Sequence, residues 1–189
     1  MKAVPRLLLV GVLGLSGCAA TGNTPATTPS ANAPAQQGVV AGFGGTDLAW
    51  IEINIAMDEQ LMPLLELAPK RTADAATLAL AAQVKAFTEA ELGVLRQLHA
   101  RAGLPDENPH EGMPMPGMVT PAQVTEASQL AGAAFNQTVA KLVRAHLEQG
   151  ENLARSEDKS GVEPGTRALA LQILRTRAVA LSTIPSDAP

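Results

Sequence analysis

The chain has 189 residues, a formal net charge of -4, one cysteine and no tyrosine. An acidic chain without a basic patch is a poor partner for nucleic acid, and one cysteine excludes an internal disulfide framework. Aromatic residues make up only 2%, so a core has to be built from Leu, Ala, Val, Ile and Met, which favours helices.

At the N-terminus, Lys2 and Arg6 flank the start of an apolar run of nine residues, Leu7 to Leu15. Such a run is too short to span a bilayer and fits the apolar stretch of a cleaved export signal. It leads into Leu15-Ser16-Gly17-Cys18, which resembles the lipobox of bacterial lipoproteins, where lipid is attached to the cysteine thiol before cleavage. Residues 1–17 therefore read as a lipoprotein signal peptide, with Cys18 as the lipidated residue. The expected location is outside the cytoplasmic membrane or in the cell envelope, with the membrane as a partner through that lipid.

From Ala19 to Gly45 the chain is dominated by Ala, Thr, Pro, Gly, Asn and Gln and carries no charge. Residues 18–45 then read as the lipidated cysteine and a flexible tether, which would span roughly 30 Å as a coil. Loss of Lys2 and Arg6 with the signal takes the net charge from -4 to -6. Residues 46–189 remain as one domain large enough for a real core.

Within it, Leu48, Ile51, Ile55, Met62 and Leu65 recur at helical spacing, and Pro69 is expected to close this first helix. A second helix opens near Thr72 and runs to Ala102, with Leu80, Val84, Phe87, Val94 and Leu98 on one stripe and Gly103 as its stop. Thr120-Pro121-Ala122-Gln123 has the pattern of a capping box with proline at the first helical position. A third helix should run from there through Phe135, Val139, Leu142 and Leu153 to about Ser156. A fourth starts near Pro164 and carries Leu169, Ile173 and Leu181 to Ile184. No stretch shows the period-2 alternation of a strand.

The two halves repeat at a constant offset of 89 residues. Trp50 matches Val139, Ile53 matches Leu142, Gln60 matches Gln149, Leu64 matches Leu153, Leu80-Ala81 matches Leu169-Ala170, Val84 matches Ile173 and Leu92 matches Leu181. Two equivalent hairpins packed face to face make an all-α four-helix bundle with approximate two-fold symmetry.

Met115-Pro116-Gly117-Met118-Val119-Thr120-Pro121-Ala122-Gln123, followed by Gly132-Ala133-Ala134-Phe135-Asn136, resembles the middle of the bacterial domain of unknown function 305 family. The resemblance spans about Asp47 to Ile184 and implies a ferritin-like bundle, often exported, with some members associated with periplasmic copper handling. Family members typically carry a His-His pair in the first and third helices and Gln-x-x-Glu in the second and fourth. Here the pairs read Met57-Asp58 and His146-Leu147, and the later motifs read Thr88-x-x-Glu91 and Arg177-x-x-Ala180. The chain is thus a degenerate member that keeps one histidine of four.

Two places can carry chemistry. The loop with His110, Met113, Met115 and Met118 offers three thioethers and an imidazole, and soft thioethers select Cu(I). The bundle interior should hold a polar layer of Met57, Asp58, Glu91, His146, Gln149 and Arg177, where the fixed positive charge of Arg177 opposes a cation and suits a carboxylate partner. No nucleophile elbow, Walker loop, dinucleotide fingerprint or His-Glu-x-x-His pattern occurs, so an enzyme is not expected. The functional expectation is a membrane-tethered envelope protein that binds a soft metal, copper above all. The alternative is a degenerate family member acting as a structural or protein-interaction module.

The anchor is directly testable. Cys18→Ser should move the protein from detergent-dependent membrane fractions into soluble fractions or stall its processing; unchanged membrane retention would exclude the lipid.

Overall fold

The computed structural model describes residues 42–184; Cys18, the rest of the stretch up to residue 41 and residues 185–189 lie outside the described residues. Five helices follow in order: α1 (Gly45–Arg71), α2 (Ala75–Ala102), α3 (Pro121–Ser128), α4 (Gly132–Ser160) and α5 (Pro164–Thr183). There is no strand among the described residues, and no helix among them is long and apolar enough to cross a membrane. Helices α1 and α2 form one hairpin and α4 and α5 the other; α1 packs on α4 and α2 on α5. The result is a four-helix bundle made of two repeated hairpins, with the eight-residue α3 laid against α1 and α4.

Local chemistry sets most boundaries. The Asp74 carboxylate accepts from Thr77 N at 2.7 Å to start α2, and the Glu163 carboxylate accepts from Thr166 N at 2.6 Å to start α5. These two caps are themselves related by the 89-residue repeat. Gly103, at φ +62°, ends α2 in the left-handed conformation that glycine adopts without strain.

Three sequence expectations change. Helix α1 runs through Pro69 to Arg71, because so near a helix end proline removes one hydrogen bond, and Thr72 N still bonds to Ala68 O. The expected long third helix is two helices. Gln129 N and Leu130 N turn back to Glu126 O and Ala127 O, Ala131 is extended, and Gly132 at φ +56° redirects the chain into α4. Finally, Val94 is 38% exposed, while Leu92 and Leu95 on either side of it turn inward.

The core lies in two apolar halves. One gathers Leu61, Leu64 and Leu65 with Val84, Phe135, Val139, Leu147 and Ala180. The other gathers Trp50, Ile51 and Ile55 with Leu92, Leu95, Leu98, Ala170 and Ile173, and it begins at Phe43, ahead of α1. On every long helix the two sets are separated by about two turns. The residues in that gap form the polar layer.

Candidate functional site

Each long helix sends one buried ionisable side chain into the layer: Asp58 from α1, Glu91 from α2, His146 from α4 and Arg177 from α5. Arg177 Nη1 donates to Glu91 Oε1 at 2.9 Å, and Nη2 lies 2.7 Å from Oε2, a two-pronged pairing of guanidinium with carboxylate. The same Nη2 lies 3.8 Å from Asp58 Oδ1, and His146 Nε2 faces that oxygen at 3.4 Å. Thr176 adds a hydroxyl donor to Glu91 Oε1, and the Phe87 ring covers the guanidinium at 4.6 Å.

Arginine fits here because α4 makes room for it. A Cβ on Gly150 would stand 3.1 Å from Arg177 Nε. The repeat pairs Gly150 with Leu61 and Arg177 with Thr88, so the large and small residues are exchanged between the two halves. Sequence patterning places Phe87 on the apolar stripe of the second helix but does not single out Gly150 or Thr176. The Leu61–Gly150 mismatch in the repeat is the signal that points to Gly150.

Burial pushes the Glu91 carboxyl up to about 7, against the pull of Arg177. Burial also lowers the His146 pKa below 6.5, although Asp58 favours its charged form. One fixed positive charge faces two carboxyls, so with neutral His146 the dry layer is electrically neutral only while one carboxyl keeps its proton.

The remaining residues expected in the layer lie at its edge. Met57 packs with Ala56, Met118 and Met115, beside Ile53 and Leu153. Gln149 lies against Gly117, where a Cβ would come within 2.5 Å of both Ala145 O and Gln149 Cβ. With φ at +74°, only glycine lets the loop pass this close to α4, and its backbone also reaches His146.

The loop quartet divides. Met115 and Met118 join Met57, and Met118 Sδ accepts a hydrogen bond from Gln60 Nε2 at 3.2 Å. Met113, at 46% exposure, and His110 belong to a separate turn closed by Met113 N to His110 O. Among the described residues, no three His, Cys, Asp or Glu side chains converge to hold a metal ion.

A second buried polar cluster clasps one end of the bundle. Asp47 Oδ1 accepts from Val162 N, Glu163 N and Thr166 Oγ1 at 2.9–3.1 Å, and Oδ2 accepts from Gly44 N at 2.6 Å. Burial alone would raise the Asp47 pKa, but hydrogen bonds from Glu157, Gly44, Glu163 and Thr166 outweigh it and hold it below 3.8. Glu157, fully buried beside it, is pushed up to about 7 by burial first and by Asp47 next. That shift favours the protonated carboxyl, the form that can donate to Asp47. With this many donors spent on it, Asp47 has little left to offer a cation.

The repeated hairpins and the layer between them define an all-α four-helix bundle. The profile of the family described as "Domain of unknown function (DUF305)" matches residues 47–185, and the chain belongs to that family. A protein of the family from Streptomyces coelicolor, described as secreted, superposes with a TM-score of 0.66 at 18% identity, covering 74% of this chain and 88% of that one. A fragment from Deinococcus radiodurans gives a TM-score of 0.67 at 17% identity, covering 76% of this chain and 95% of that one. At such identities the likeness is one of fold. No protein of curated description matches the chain.

Two predictions follow from the layer and the clasp. Arg177→Leu or Glu91→Leu alone strands a buried charge and should cost about 3–5 kcal/mol, whereas the double change should recover much of that loss. Additive losses in urea melts of the cycle would show that the pair is not coupled.

The second concerns pH. Glu91 and Glu157 have folded pKa values raised from 4.5, so their contribution is complete below 4.5 and is lost as pH rises through about 7. His146 acts oppositely: its folded pKa lies below 6.5, so its contribution holds above 6.5 and is lost as pH falls below it. Stability should therefore be greatest in weak acid, fall as pH rises from 4.5 to about 7 and change little above that. Glu157→Gln should flatten that fall, and a variant profile parallel to wild type would show that Glu157 does not titrate there.

Proposed function

We propose that the protein is an exported envelope lipoprotein that holds one soft cation, Cu(I) above all, on the thioethers of Met57, Met115 and Met118. The observation that carries this reading is the convergence of three methionines from α1 and the loop ahead of α3. Thioether sulfur is soft and polarizable and suits Cu(I), whereas Ca²⁺ and Mg²⁺ require oxygen ligands. Gln60 already orients one of the sulfurs, a surrounding contact of the kind that positions metal ligands.

The central layer suits no cation, because Arg177 occupies it. Export is supported by the signal-like N-terminus and by the description of the Streptomyces coelicolor relative as secreted. Lipidation at Cys18 would hold the bundle at a membrane surface. The role is one of binding rather than catalysis.

A second reading draws on Arg177 itself. An ion pair in place of a family histidine and glutamine set suits a module retained for its shape, serving structure or protein interaction.

Anaerobic Cu(I) titration against a competing chelator separates the two. The wild type should take up one equivalent, and joint replacement of Met57, Met115 and Met118 by leucine should abolish uptake without unfolding the bundle. Replacing His110 and Met113 should leave uptake unchanged. If the wild type does not compete with the chelator, the metal reading fails and the module reading stands.

A further inference from the structure

A groove of about 310 Å³ opens between α1, the loop ahead of α3 and α3 itself. That volume is at the lower end of the range for small-molecule sites, roughly 300–1,000 Å³. Its apolar lining includes Pro63, Val119 and Val124, and no Lys, Arg or His lines it. The polar groups there are unevenly used. Gln60 donates its amide N–H to Met118 Sδ, which leaves its Oε1 buried without a hydrogen-bond partner. Asn108 donates its amide N–H to Glu52 O and accepts from His110 N with its Oδ1.

Pro63 supplies no N–H to the carbonyl of Glu59, four residues earlier, and both residues line the groove. The Glu59 carboxylate is engaged by Arg96 at 2.8 Å, and Glu111 stands exposed at the rim. One N–H of each amide in the groove is thus engaged, while an amide oxygen, a main-chain carbonyl and an acidic side chain are left over. A ligand that satisfies them brings N–H donors and a positive charge, and its body must be apolar.

We propose that this groove binds a small amphiphilic cation, a primary ammonium or amidinium on an apolar body, with its head on Gln60 Oε1 and Glu111 and its body against Val119 and Val124. A carboxylate or phosphate ligand is disfavoured, because it would set acceptor against acceptor in a site without a basic residue. The site is distinct from the thioether cluster, which it adjoins through Gln60 and Ala56.

The test uses the purified protein, freed of metal by chelation, titrated with phenethylammonium and with the isosteric phenethyl alcohol while the methyl resonances of Val119 and Val124 are followed. Both methyl sets should shift saturably, with the ammonium bound roughly tenfold more tightly, as a charge-assisted hydrogen bond implies. Glu111→Lys, at an exposed position, should erase that preference. Val124→Trp should fill the groove and abolish binding of both compounds while leaving Cu(I) uptake unchanged. Equal affinity for alcohol and ammonium would overturn the cation assignment, and the absence of saturable shifts with either compound would overturn the site. Failure of Cu(I) uptake alongside retained amine binding would count against the thioether reading alone.

Discussion

Everything in this bundle is arranged around a guanidinium held out of water. Arg177 is among the most completely buried large side chains in the protein, at 1% exposure, and it sits where the two apolar halves of the core meet. A charge in that position is tolerated only with a well-aligned counter-ion, and Glu91 supplies it through two oxygens. The surrounding choices follow from that pairing. Gly150 gives the side chain its space, Phe87 gives it an aromatic face, and Thr176 completes the shell of the carboxylate.

The layer also explains how two similar hairpins come to pair in one way. The first hairpin contributes Asp58 and Glu91, both acidic, and the second contributes His146 and Arg177, both nitrogen bases. Across the repeat each of these residues faces an uncharged equivalent: Met57 for His146, Leu147 for Asp58, Thr88 for Arg177 and Ala180 for Glu91. Pairing two copies of the first hairpin would bring four carboxyls into a dry layer with no base. Pairing two copies of the second would bury two guanidinium groups without an acid. The charges therefore favour the pairing of unlike hairpins.

Much of this was legible in the sequence because it is periodic or local. The 89-residue repeat, the capping box at Thr120 and the place of Arg177 one turn beyond Ile173 all depend on spacings that the backbone enforces. What escaped depends on geometry without period. Gly132 reads as a tolerated helical glycine until its positive φ is seen, so one helix was expected where there are two. In Leu92-Gly93-Val94-Leu95 a stripe drawn through Val94 is as regular as one drawn through Leu92 and Leu95, and only packing decides between them. The path of the methionine loop is set by the close passage of Gly117 over α4, which no spacing rule reports, so the partnership of Met115 and Met118 with Met57 rather than Met113 could not be read from the loop alone.

The Asp47 clasp has a mechanical meaning. Phe43 is buried, and Asp47, in the first turn of α1, bonds to the α4–α5 connection more than a hundred residues away. Any tension applied to the chain ahead of Gly42 enters the fold here. The load passes directly through Asp47 into the second hairpin, without first having to peel α1 away from α2. Several hydrogen bonds on one carboxylate then share the force, together with the apolar grip on Phe43. The start of α1 is thus fastened to the far hairpin through a single carboxylate.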